Sequence, residues 1–185
     1  MIEETISAPR EGRPEDKGLS ARELAVYDLL DALGIPYRHV SHASAQTMED
    51  CAEIDTRLGV KMCKNLFLCN RQQTDFYLLL MPGEKPFKTK ELSAQLGVAR
   101  LSFASGEKME ELLGLLPGSV SVMGLMNDKT HAVRLLIDED LLRDSALGCH
   151  PCVNTASLCI STKDVLEKFL PATGHAPTTV TLLGG

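Results

Sequence analysis

Apolar and polar residues alternate along the chain with two periods, and each period predicts a different element. Between Ser20 and Gly34, Leu24, Tyr27 and Leu30 recur at helical spacing. Ser20 and Glu23 have the spacing of a capping box at the start of this helix, and Gly34 stops it. IPYRHV then reads as a strand. Thr47 to Leu58 predicts a second helix, with Thr47 as N-cap and Gly59 as its end. KNLFLCN and FYLLLMP are short apolar runs joined by the polar turn RQQTD, the pattern of a strand pair. Thr89 to Leu96 is a short helix closed by Gly97, ARLSFA a strand, and Ser105 caps a helix that runs to Leu113. A glycine-rich stretch, LPGSVSVMGLMND, follows and leads through NDKT into the strand HAVRLLID. CVNTASLCIS is a further strand, Thr162 caps the last helix KDVLEKFL, and the tail TTVTLL is β-prone.

Strands and helices interleave, yet several strands are joined by tight turns. This predicts an α/β (α+β) fold around a mixed sheet rather than a purely parallel one. No repeat, linker or second domain is visible. The 185 residues suffice for one sizeable core, and the scarcity of aromatics, with no Trp, makes that core aliphatic. Residues 1–18 are acidic and polar, lack a secretory apolar segment, and predict a disordered arm ahead of a single domain over 19–185. No apolar run approaches the ~20 residues of a membrane helix.

Net charge is −6, but it is unevenly spread. From Arg57 to Arg100 there are eight Lys/Arg against three Asp/Glu, a local +5 that leaves −11 on the remainder. A basic patch on an acidic body suits a partner met through phosphates; a solvated face with chance asymmetry is the plain alternative. The six cysteines, without an export signal, read as reduced thiols. Cys149 and Cys152 form a lone C-x-x-C with no second pair at zinc spacing, so no metal or cofactor is expected.

No nucleophile elbow, zincin motif or Walker loop is present. Three features carry candidate chemistry. Lys64 stands at the mouth of an apolar strand, where it either snorkels to water or holds an anion at a pocket rim. Asn65 beside it points to the other face and orients a ligand or closes a turn. The loop Gly118-Ser119-Val120-Ser121 offers successive backbone amides with little side-chain bulk, which can polarise a carbonyl or simply connect a helix to a strand. His150, held out of helix by Pro151, is a proton carrier, a hydrogen-bond donor or a structural loop residue.

In this order, KNLFL, LPGSVSVMGLMND and HPCVNTASLCIS resemble the YbaK/prolyl-tRNA-synthetase-associated family of editing domains. The likeness runs from about Leu24 through Gly174-His175-Ala176-Pro177. GIPYRHVSHASAQTMED and RLSFAS bring it nearest to the free-standing ProX (PrdX) group. The resemblance implies a barrel-like mixed sheet flanked by helices. It also implies cytoplasmic hydrolysis of the ester on mischarged tRNA(Pro), chiefly Ala-tRNA(Pro). Cys-tRNA(Pro) and a non-catalytic tRNA- or nucleotide-binding module are the alternatives. It implies the tRNA(Pro) acceptor end as partner, with prolyl-tRNA synthetase as a further one, and neither membrane nor DNA. Lys64 matches the lysine that holds the terminal adenosine and its phosphate, and His150 the histidine of H-P-x-x-N. Gly118 and Ser119 join them as catalytic loop residues. Asn65, Val120, Ser121, Val122, Met123, Gly124, Asn154 and Thr155 are the implied substrate-binding set. Val122 stands where the family loop G-x-x-x-P carries proline. Lys64, the loop amides and His150 are expected to converge on one cavity, with Leu66, Leu68, Val120 and Met123 as its apolar lining.

Overall fold

In a computed structural model, the described residues are 6–15, 18–43 and 48–184. The helices form where the pattern places them. In α1 (Ala21–Ala32) the Ser20 hydroxyl accepts from the Glu23 amide at 3.2 Å. Helix α2 (Met48–Leu58) ends at Gly59; its expected cap, Thr47, lies outside the described residues. Helices α3 (Thr89–Leu96) and α4 (Gly106–Leu113) both close on left-handed glycines, Gly97 and Gly114. The last helix is capped by the Ser161 hydroxyl rather than by Thr162, whose own hydroxyl is drawn to the Asp144 carbonyl. It widens into a π turn over Val165–Phe169, just before Pro171, whose missing amide takes away one regular helical bond.

The strands make two sheets. One has the order β1 (Arg10–Glu11), β2 (Tyr37–Ser41), β8 (Ala156–Ser161), β7 (Ala146–Cys149), all antiparallel. The other has the order β5 (Ser102–Phe103), β3 (Cys63–Cys69), β4 (Phe76–Pro82), β6 (Val133–Asp138), β9 (Thr178–Val180). Here β3 is antiparallel to β4 and β5, while β4–β6 and β6–β9 are parallel, so the sheet is mixed. β4 is buried from Phe76 through Met81, as a central strand covered on both faces must be.

The expected barrel is not formed. Among the described residues the sheets meet through one isolated bridge, Met62 to Gly148, and otherwise stay open. Side chains from both sheets, such as Phe67, Leu78, Leu135, Leu147 and Leu158, fill the main core between them. A second cluster, with Leu68, Leu79, Leu92 and Leu136, lies on the other side of the five-stranded sheet. A third joins Ile6, Val40, Ile54 and Leu58.

The arm also departs from expectation over its described part. Ile6 is buried, β1 pairs with β2, and Arg13 ion-pairs with Asp28 at 2.6 Å and Asp31 at 3.0 Å. An apolar anchor and a free sheet edge are enough to hold a polar segment down.

Candidate active site

The glycine-rich loop leaves α4 at Gly114 and turns sharply at Gly118. Gly118 has φ +91°, a conformation that disfavours any side chain, and a Cβ there would stand 3.9 Å from Asn154 Nδ2. The turn spends Ser119 entirely: its amide and its hydroxyl both donate to the Leu116 carbonyl, at 3.1 and 2.7 Å. Ser119 therefore shapes the loop and has no amide left for a ligand. The amides of Val120 and Ser121 have no acceptor among the described residues.

Ser121 ties this loop to the histidine segment. Its buried hydroxyl donates to the His150 carbonyl at 2.5 Å and accepts from the Met123 amide at 3.1 Å, capping a 3-10 turn over Val122–Asn127. Val122 occupies the first position of that turn, a place proline also favours. Unlike proline, it brings an amide. Val122, Met123 and Gly124 are buried. A Cβ on Gly124 would come within 2.7 Å of Leu115, so these three residues form the packed floor under the loop.

His150 follows β7 and is half-buried. Its Nδ1 lies 3.0 Å from the Ala156 carbonyl, which can only accept, so Nδ1 carries the proton and Nε2 presents a lone pair. Burial, aided by nearby His42, pushes its pKa below the usual value despite the carbonyl bond. His150 is thus a neutral imidazole near pH 7. His42, beside β8, packs into the same region. Its amide donates to Thr155 O at 2.9 Å, its Nδ1 to Ala43 O at 2.7 Å, and its Nε2 accepts from Ser157 Oγ at 2.9 Å. Only its position beside β8 reveals this, and no local motif signals it. Asn154 and Thr155 are exposed at the rim.

β3 divides the remaining residues between its faces. Cys63, Asn65 and Phe67 point into the core between the sheets. Cys63 Sγ donates to Gly148 O at 3.2 Å, fixing β3 beside the strand that delivers His150. Asn65 Nδ2 donates to Cys63 O at 3.2 Å, while its buried Oδ1 has no partner among the described residues. Lys64, Leu66 and Leu68 face the other way, into the second cluster. Lys64 Nζ donates to the Lys85 carbonyl at 2.8 Å. Leu66 and Leu68 thus cannot line a hollow with Met123, because strand alternation puts them across the sheet.

The structure brings Gly118, Val120, Ser121, His150 and Asn154 together, with Asn65 linked through Cys63 and Gly148. It does not bring the Lys64 ammonium to them. Two surface cavities, of about 430 and 610 Å³, are lined by other residues, among them His131 and Arg134 in the first and Asp55 and Lys61 in the second. The thiols are free; those of Cys149 and Cys152 are buried, and burial pushes Cys152 up to about 12 and Cys149 well above its ordinary value. Neither is a thiolate nucleophile.

The aminoacyl-tRNA editing domain profile matches residues 42–168. Prolyl-tRNA editing protein ProX of Acetoanaerobium sticklandii is 34% identical over 151 residues, 82% of this chain and 92% of that protein. The chain belongs to the aminoacyl-tRNA editing domain family. Prolyl-tRNA synthetase associated domain-containing protein 1 of Danio rerio is 29% identical over 152 residues, 81% of this chain and 82% of that one. A solved structure of a candidate trans-editing enzyme for prolyl tRNA synthetase shares the fold, with TM-score 0.66 at 21% identity over 90% of this chain and 100% of the other. As an editing domain, the chain is a hydrolase of mischarged aminoacyl-tRNA. That ester is already activated, so its hydrolysis needs no strong nucleophile.

Proposed function

We propose that the protein edits tRNA(Pro) in trans by releasing wrongly attached alanine. The observation that supports this most is the bond from Ser121 to His150, which joins a loop with uncommitted amides to an imidazole with an open Nε2. In this reading the Val120 and Ser121 amides receive the ester oxygen as it gains charge. One such donor is worth ~2.7–4 kcal/mol of transition-state stabilisation. His150 Nε2 accepts a proton from the attacking water or orients the terminal ribose. Asn65 Oδ1, buried and open, accepts from the α-ammonium of the amino acid. Asn154 and Thr155 border the ribose, Gly118 and Ser119 hold the turn, and Lys64 meets phosphate from the outer side of β3.

Selectivity follows from size. Each missing methylene in an apolar pocket is worth only ~1–3 kcal/mol, and nothing in a pocket made for proline sterically shuts out the smaller alanine. A second, smaller site that excludes proline corrects the error. The partner is then the acceptor end of tRNA(Pro), with prolyl-tRNA synthetase as the source of the mischarged product, and the setting is the cytoplasm. No helix among the described residues is long and apolar enough to cross a membrane.

Deacylation of tRNA(Pro) carrying Ala, Ser, Cys or Pro tests the reading. Ala is expected to be released fastest, Ser weakly and Pro least. Faster release of Cys would transfer the substrate to Cys-tRNA(Pro), and binding without release of any would leave a tRNA-binding module.

A further inference from the structure

We infer that Phe103, with Phe87 beneath it, forms a stacking platform for unpaired bases of an RNA 3′ end. The inference rests on the editing reading and extends its substrate contact beyond the ester. Phe103 sits on β5, a two-residue edge strand, and is 61% exposed. It pairs directly with Leu68 of β3, and directly paired residues of antiparallel strands project to the same face. Phe103 therefore shares the outer face of the sheet with Lys64 and half-buried Leu66, not the core face with Asn65. The Phe87 ring meets it edge-on, with centroids 6.0 Å apart and planes at 69°. Phe87 in turn packs on the second cluster, which anchors the pair to the rigid sheet.

The charges around this pair select the occupant. Lys88 and Lys90 follow Phe87 at the start of α3, and Arg100 precedes β5 by two residues; all three are exposed. Among the described residues none of them forms an ion pair. Glu91, the acid placed to neutralise them, is turned away to the amides of Leu183 and Gly184. Lys64 Nζ bonds the carbonyl of Lys85, two residues before Phe87, and keeps two further N–H donors. An exposed aromatic flanked by uncompensated cations fits single-stranded RNA, whose bases offer π faces and whose phosphates offer charge. A protein partner would need acidic groups set around an apolar plug, and nothing on this face demands one. The same arrangement accounts for Lys64 facing away from His150: the strand sends its lysine to the RNA backbone and its asparagine to the ester.

Fluorescence anisotropy with an RNA oligonucleotide ending in unpaired CCA, at fixed salt, tests this. Phe103→Ala should weaken binding about five- to a hundred-fold, and Phe103→Trp should retain it. Phe103→Leu, which keeps an apolar side chain of similar bulk, should weaken it as alanine does. Replacing Lys88 and Lys90 by alanine should lower the slope of log affinity against log salt by about 1.4. In deacylation, Phe103→Ala should raise KM with kcat within about twofold. Equal RNA affinity of wild type and Phe103→Ala overturns the inference, as does loss of synthetase association with RNA binding intact. Absence of turnover by the wild type would instead remove the editing reading, while the anisotropy would still decide the role of Phe103.

Discussion

At the scale of single residues, the site depends on a few hydrogen bonds that hold backbone in place. Ser121 is the clearest. Ser121→Ala would strip the half-buried His150 carbonyl of its donor and the buried Met123 amide of its acceptor. Leaving a buried group unsatisfied costs about 1–3 kcal/mol. A lower midpoint of chemical denaturation together with a reduced kcat is expected; loss of neither would show that the loop does not need this tie. His150 gives a pH signature. Its folded pKa lies below the usual histidine value, so Nε2 stays available as pH falls toward 6.5 and is lost only below the depressed pKa. The kcat for deacylation should be flat from pH 8 to about 6.5 and decline at lower pH. A decline already complete at pH 7 would point to another base. The motif residues were legible in the sequence because glycine, proline and histidine leave local signs. The spending of Ser119 on its own turn was not, since a serine in a loop looks the same whichever partner its amide finds. His42 was missed for a related reason: its neighbours come from β8, more than a hundred residues away.

At the scale of elements, periodicity reads the chain well where burial is one-sided and poorly where it is short or shared. The helices α1, α3 and α4 follow from cap and glycine signals that are local chemistry. β7 went unpredicted because four residues containing Gly148 carry too little pattern, and that glycine is required by contact rather than by a turn. A Cβ there would come within 2.8 Å of Lys61 O. Of the strand expected over ARLSFA, only Ser102–Phe103 forms β5, an edge element paired with β3 alone. β3 holds the main lesson. Its alternation was visible, but both faces are covered, so apolar residues on opposite sides could be misassigned to one pocket. Once β4 and β5 are paired beside it, the same seven residues separate cleanly. Cys63 and Asn65 go to the His150 side, and Lys64 and Leu66 to the side of Phe103.

At the scale of the molecule, two open sheets share one core, and the five-stranded sheet acts as a partition. On one side lie the loop amides, Asn65 and His150; on the other lie Lys64 and the aromatic pair, with Lys88, Lys90 and Arg100 next to the pair in the chain. The charge split of +5 against −11 was legible from composition, but that Phe103 shares a sheet face with Lys64 was not, because that needs the pairing of β5 with β3. In this account tRNA(Pro) is gripped on one side of β3 and hydrolysed on the other. The most direct test compares Lys64→Ala with wild type on two substrates, full-length Ala-tRNA(Pro) and the 3′-alanyl ester of adenosine, which has no phosphate. The account predicts a large fall in kcat/KM on the tRNA and a much smaller one on the nucleoside ester. An equal fall on both would place Lys64 at the ester itself and contradict the division of labour across the strand.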